Sequence, residues 1–226
     1  MKILVAGRGK EHPQVNDCVK LRYVAWKRDG ALHALSDETS APEIQCLRRL
    51  IPGISEAVRA MVAGEQRRVW IPAALSAPER DDDHPAPRAD LTYDLTLVDI
   101  IKAPPTPTSL KAAPRGAQRL PSGLAIQVRA AGAGDAHPTE MSRVMLNLSG
   151  WTAAGVLYES TAMSGRPVIY VVRDLMPGLR EAIEQLVVGE KARVWIPAAL
   201  AYGEKPRHRS LPAGRLVYDL ELLAIQ

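Results

Sequence analysis

The chain has 226 residues, 46% hydrophobic and 24% charged, with mean hydropathy −0.10, which fits a folded globular protein of one large domain or two of about 100 residues. No apolar run approaches the roughly 20 residues that span a bilayer, and the apolar stretch after Lys2 is too short for a secretory signal, so a cytoplasmic location without a membrane partner is expected. Net charge +4 and a pI near 9.2 admit nucleic acid, but the arginines are scattered through regular strand and helix patterns with no aromatic stacking platform, and no nucleic-acid partner is expected.

Along the chain, Ala6-Gly7-Arg8-Gly9 leads to His12-Pro13. A Gly-x-Gly alone invites a phosphate cradle, but no strand–helix unit of the dinucleotide-binding kind follows it. The same residues return 125 positions later as Ala131-Gly132-Ala133-Gly134 and His137-Pro138, so this is a repeated loop. Cys18 and Cys46 have no metal or redox spacing and imply no disulfide framework; they are expected as small buried residues. Ile54, Ala57, Val58, Met61 and Val62 fall at i, i+3, i+4, i+7 and i+8, one apolar stripe of a helix entered through Pro52-Gly53. Val69-Trp70-Ile71-Pro72-Ala73-Ala74-Leu75 recurs as Val194–Leu200, Trp26 as Trp151, and Tyr93-Asp94-Leu95 as Tyr218-Asp219-Leu220, all at the same offset and without insertion. The chain is therefore a duplication. The four tryptophans recur in both copies and are expected to be packing residues. Asp81-Asp82-Asp83-His84 could hold a metal in principle, but a charged loop without further placed ligands reads as solvated, and no metal is expected.

Pro104, Pro105, Pro107 and Pro114 favour extended backbone, so residues 103–119 read as a semi-rigid linker between copies at 1–102 and 120–226. In copy two, Leu124–Val128 is a strand whose counterpart would lie before Met1, so copy one is expected to begin part-way through its first strand. Val144–Gly150, Lys191–Ile196 and Leu216–Ala224 alternate as half-buried strands, and Val168-Ile169-Tyr170-Val171-Val172 reads as a strand covered on both faces. Leu179, Ala182, Ile183, Leu186 and Val187 repeat the helical stripe, with Pro177-Gly178 before it and Gly189 as its C′ glycine. Many strands with one helix per copy give an α+β fold, an antiparallel sheet wrapped on a helix. The loops differ in charge. Residues 76–90 carry five acids against two arginines, and 201–215 four basic residues against one glutamate, so the two are expected to dock on one another or to select oppositely charged chains.

Gly150-Trp151, Tyr158-Glu159-Ser160-Thr161, Met176-Pro177-Gly178, Val188-Gly189-Glu190-Lys191, Ile196-Pro197, Leu200-Ala201-Tyr202-Gly203 and Leu216–Leu223 stand in an order that resembles the FKBP-type peptidyl-prolyl isomerases. Leu120-Pro121-Ser122-Gly123-Leu124 resembles the lead-in of bacterial members. The resemblance covers residues 120–226 and reaches copy one through the offset. It implies a half-barrel sheet around the helix, an apolar pocket, and catalysis of X-Pro rotation with neither cofactor nor nucleophile, in the service of protein folding. Proline-containing peptides or unfolded segments are the implied partners. Carried over by position, Tyr202 is the tyrosine that holds the substrate backbone, and Tyr158 and Glu159 complete the implied catalytic group, the glutamate replacing a shorter aspartate. Leu148, Val168, Leu175, Met176, Leu179, Leu211 and Tyr218 are the implied substrate-binding positions, with Leu179 where the family has a tryptophan floor. In copy one Ala25, His33, Ala34, Ile54 and Ala77 replace the glycine, pocket ring, acid, floor and tyrosine, and nothing familiar remains to orient a peptide. The resemblance thus implies a weak isomerase in copy two and a degenerate copy one, with a non-catalytic peptide-binding module or chaperone as the alternative.

Overall fold

In copy one, strands β1 (Lys2–Val5), β2 (Cys18–Lys27), β3 (Leu32–Leu35) and β4 (Glu43–Cys46) precede helix α1 (Pro52–Arg59), and β5 (Gln66–Ile71) and β6 (Leu91–Ile101) follow it. In copy two, β7 (Gln118–Arg119), β8 (Ala125–Ala130), β9 (Arg143–Thr152) and β10 (Leu157–Ser160) lead to a short helix α2 (Thr161–Ser164). Then come β11 (Val168–Val171), α3 (Pro177–Ile183), β12 (Lys191–Ile196) and β13 (Leu216–Ile225). The structure is a computed structural model that describes residues 1–36, 41–77, 88–208 and 210–226. It divides into two units, Met1–Ala103 and Pro104–Gln226. The acidic run Asp81–Asp83 with His84, and most of the loop 76–90 expected to dock, lie outside the described residues.

Each unit is one antiparallel sheet around its helix. The first runs β1-β5-β6-β2-β3, with β4 also on β2; the second runs β10-β9-β13-β12-β8-β7, with β11 also on β9. Alternation puts Val144, Leu146, Leu148 and Gly150 of β9 on the inner face, where they are all buried. The apolar side of the helix meets that face: Leu179, Ala182 and Ile183 of α3, and Leu186 just beyond its end, share one core with Val194, Ile196, Leu216, Tyr218 and Leu220. Ile54, Ala57, Val58 and Met61 do the same against Val69, Ile71, Tyr93 and Leu95. Pro52 and Pro177 open the helices at a position whose N–H has no helical partner to lose. Gly53 and Gly178 follow because a Cβ there would run into Ile71 or Ile196 of the strand beneath.

The duplication extends to side-chain devices. Arg68 forks onto Asp94 at 2.7 Å through both nitrogens, and Arg193 onto Asp219 at 2.6 and 2.7 Å. His12 Nδ1 lies 3.0 Å from the Met61 carbonyl and His137 Nδ1 3.1 Å from that of Leu186, which is why His-Pro recurs. Gly7 and Gly132 press on the backbone at residues 63–65 and 188–190, so the repeated Gly-x-Gly is a packing device.

Four expectations need correction. Cys18 and Cys46 form a disulfide: they are directly opposed in the β2–β4 ladder, a register that their spacing of 28 residues does not reveal. Strand β11 is covered on one face only, since Ile169 is 44% exposed. Helix α3 ends at Ile183 and α1 at Arg59, so Leu186 and Val187, and Met61 and Val62, lie beyond the helices expected to carry them, and Gly189 serves the turn into β12, with φ +83° and its N–H donated to the Leu222 carbonyl at 2.7 Å. Trp70 is not a packing residue, being 55% exposed, whereas Trp151 and Trp195 are buried.

Candidate functional site

The site of copy two grows from the sheet register. Gly150 of β9 faces Glu159 of β10 on one side and Tyr218 of β13 on the other. Residues in register share a face, so a side chain at 150 would fill the space between them. Its Cβ would lie 2.8 Å from the Tyr218 ring and 2.9 Å from the Tyr158 ring. With glycine there, the Tyr218 hydroxyl reaches across and donates to Glu159 Oε1. The Tyr158 hydroxyl donates to the same oxygen at 2.5 Å, and the two rings meet edge to face with centroids 5.9 Å apart. The longer side chain of Glu159 brings its carboxyl to two phenol hydroxyls. Burial raises the Glu159 pKa to about 7. The Tyr218 hydroxyl is pushed well up by burial. Tyr202 and Tyr170 are raised by burial and then by the Glu159 charge beside them.

In the core of this copy, Leu148, Leu179 and Tyr218 are buried members, and Tyr158, Val168, Leu175, Met176 and Tyr202 pack against it half-buried. Nine of the ten positions implied by the resemblance thus lie in this core, pack against it or, for Glu159, bond to two of its tyrosines. Leu211 is the exception: it is half-buried in the loop before β13 and is not among the side chains packed on that core. Tyr170, which sequence reasoning left out of the site, packs with this group and adds a fourth phenol near Glu159. The signal was available: Val168 faces the site, and in a strand the residue two further on faces the same way.

At the equivalent place, copy one keeps a cavity of about 210 Å³ lined by Tyr23, Tyr93, Leu50, Ile51 and Ile54. Ala34, which stands in the register of Glu159, lines it in place of an acid. Tyr23 and Tyr93 have ring centroids 6.2 Å apart, and the Tyr23 hydroxyl donates to Glu43 at 3.4 Å. Copy one thus has no carboxyl at the place of Glu159 but has two rings beside an aliphatic floor.

A family model described as FKBP-type peptidyl-prolyl cis-trans isomerase matches residues 9–98 and 134–223. The isomerase FkpA of Aeromonas hydrophila is 35% identical over 112 residues, 49% of this chain and 41% of that protein. The FKBP-type 22 kDa isomerase of Escherichia coli is 35% identical over 111 residues, 49% of this chain and 53% of its own length. Among solved structures, Escherichia coli FkpA superposes with TM-score 0.47 at 29% identity, covering 50% of this chain and 53% of that one. The chain spans about half the length of the curated relatives it matches. With both copies matched by the family model and the ordered motifs folded into one tyrosine-lined site, the chain belongs to the FKBP-type peptidyl-prolyl cis-trans isomerase family.

Proposed function

We propose that copy two is a peptidyl-prolyl cis-trans isomerase that acts on proline-containing or unfolded segments and assists their folding. The observation that carries this reading is Glu159, held by the Tyr158 and Tyr218 hydroxyls with Tyr202 and Tyr170 near enough to feel its charge, in a domain whose core is packed by Leu175 and Met176. Rotation about an X-Pro bond crosses about 18–20 kcal/mol because the twisted amide loses its resonance. The twisted carbonyl is also less polar than the planar one. A site made of rings and aliphatic groups, with its one carboxyl uncharged below about pH 7, favours the twisted state over the well-solvated planar state. Tyr202, half-buried at the edge of this group, has a hydroxyl to hold the peptide backbone. Leu179 gives the prolyl ring an aliphatic floor in place of a flat aromatic one, so the activity is expected to be weak.

The full chain is expected to raise the cis–trans exchange rate of a short Xaa-Pro peptide, followed by NMR exchange. Tyr202→Phe should lower that rate by about 2- to 10-fold, the worth of one backbone hydrogen bond of roughly 0.5–1.5 kcal/mol. Leu179→Trp should raise it. Exchange at the background rate with both the native chain and Leu179→Trp would dismiss the enzyme. Peptide binding without faster exchange would establish the second reading, a peptide-holding module, which the acid-free cavity of copy one favours for residues 1–103.

A further inference from the structure

We propose that the outer face of the copy-one sheet is a binding groove for a proline-containing segment of another polypeptide, seated there as residues 106–111 are seated on copy two. The inference rests on what the duplication does on the side of the sheet away from the helix. In copy two, Trp195, Val217 and Trp151 form one cross-strand row on that face, and all three are buried. What lies against that row is the proline-rich stretch itself. The Trp195 indole donates from Nε1 to the Ser109 carbonyl at 2.5 Å. Arg215 donates to the Lys111 carbonyl. A Cβ on Gly155 would touch Thr106 at 3.4 Å and Leu110 at 3.6 Å. Pro107 and Leu110 are buried as the anchors of the stretch.

Copy one builds the same row from Trp70, Thr92 and Trp26. Here the face is a groove of about 850 Å³, whose lining includes Trp26, Gly30, Arg68, Trp70 and Asp90. Each residue that receives the segment in copy two has its counterpart in that lining: Gly30 for Gly155, Trp70 for Trp195 and Asp90 for Arg215. Among the described residues nothing fills it. Trp70 is 55% exposed, and a Cβ on Gly30 would meet no atom within 4 Å. Arg68, forked onto Asp94, lies over the Trp26 ring at 5.8 Å and fixes one wall. Threonine in place of Val217 wets the middle of the row without altering its shape. The occupant is defined by the segment that fills the sister groove: an irregular stretch that bends after a buried proline, a carbonyl presented to an indole N–H, and an apolar anchor one residue further on.

The test uses the full chain and the synthetic peptide Pro-Pro-Thr-Pro-Thr-Ser-Leu-Lys-Ala, which copies residues 104–112. Titrated into 15N-labelled protein, it is expected to shift the Trp70 indole signal, assigned by its loss in Trp70→Ala, and to leave the Trp195 signal in place. Trp70→Ala should weaken binding at least about tenfold, as aromatic anchors at interface centres do. Asp90→Arg restores the donor that copy two uses and should tighten binding. No movement of the Trp70 signal at millimolar peptide would overturn the proposal, as would equal affinity in Trp70→Ala or weaker binding in Asp90→Arg. If the Trp70 signal instead moves with protein concentration alone and the chain sediments as a dimer, the occupant is a second copy, and the proposal fails. The face is distinct from the pocket of either copy, so peptide exchange by copy two should be unchanged in Trp70→Ala.

Discussion

Opening the Cys18–Cys46 disulfide is expected to remove about 3–4 kcal/mol from the stability of residues 1–103 and nothing from that of residues 104–226. The bond closes a loop of 28 residues, and the loss of loop entropy in the unfolded chain is worth about 3.6 kcal/mol at that length. The location of the bond makes the effect local. Among the described residues, strand β4 pairs in the sheet with β2 alone, over the four residue pairs Cys18–Cys46 to Leu21–Glu43. Immediately after β4 come Leu47, fully buried, and Arg49, Leu50 and Ile51, which line the copy-one cavity. With the bond open, that wall is held by the ladder and by the Leu47 N–H on the Asp17 carbonyl at 3.1 Å. Urea unfolding of the full chain with and without reductant checks this. The two cores are separate, so two transitions are expected, and reductant or Cys46→Ser should move only the one assigned to copy one. Equal movement of both transitions, or of neither, would show that the bond is not the staple of β4. The same pair tests the cytoplasmic location read from the sequence. Cytosolic thiols are kept reduced, so alkylation of intact cells should then find both cysteines free, and a blocked pair would place the chain in an oxidising compartment.

What the sequence made legible follows from which interactions are periodic. The duplication, the two sheets and the helices all rest on residues repeated at fixed intervals, and they appear in the fold, as with Leu179, Ala182 and Ile183 against β12 and β13, although each helix ends before the last two positions of its stripe. The ordered motifs also placed Tyr158, Glu159 and Tyr218, but not their bonding, because the reach of Tyr218 to Glu159 depends on the empty Cα of Gly150 between two strands distant in sequence. Register between strands is equally silent for Cys18 and Cys46, which carry no local pattern. The tryptophans illustrate the opposite failure. Trp70 and Trp195 sit in identical heptapeptides, yet one is exposed and the other buried, because the difference lies in the segment 106–111 that covers only the second. Local sequence decides which face of a strand a residue takes; it does not decide what else covers that face.

Between pH 5 and 8, copy two is expected to lose stability as pH rises, and Glu159→Gln is expected to abolish that loss. Burial raises the Glu159 pKa from 4.5 to about 7 in the folded chain, so between these values the folded state keeps a proton that the unfolded state gives up. Stability rises with pH only where the unfolded state binds more protons, and here the reverse holds. The contribution is complete below about pH 4.5, declines as pH climbs to 7 and is gone above it, a total of about 3 kcal/mol at 1.36 kcal/mol per pH unit. The neighbours do not compete in this window. Tyr170, Tyr202 and Tyr218 are phenols raised above their usual value of 10, and all remain neutral. Glutamine leaves a carbonyl oxygen for the Tyr158 and Tyr218 hydroxyls but cannot ionise, so the variant should be about as stable at pH 8 as the native chain at pH 5. Urea midpoints for the copy-two transition across the range give the comparison. The exchange assay should follow the same curve, since an ionised carboxylate returns charge to the site that favours a less polar carbonyl: activity should fall above about pH 7 in the native chain and stay level in Glu159→Gln. Parallel pH profiles for the two proteins, in stability and in exchange, would mean that Glu159 is already ionised at pH 5, and that the two tyrosines hold a carboxylate instead of a carboxylic acid.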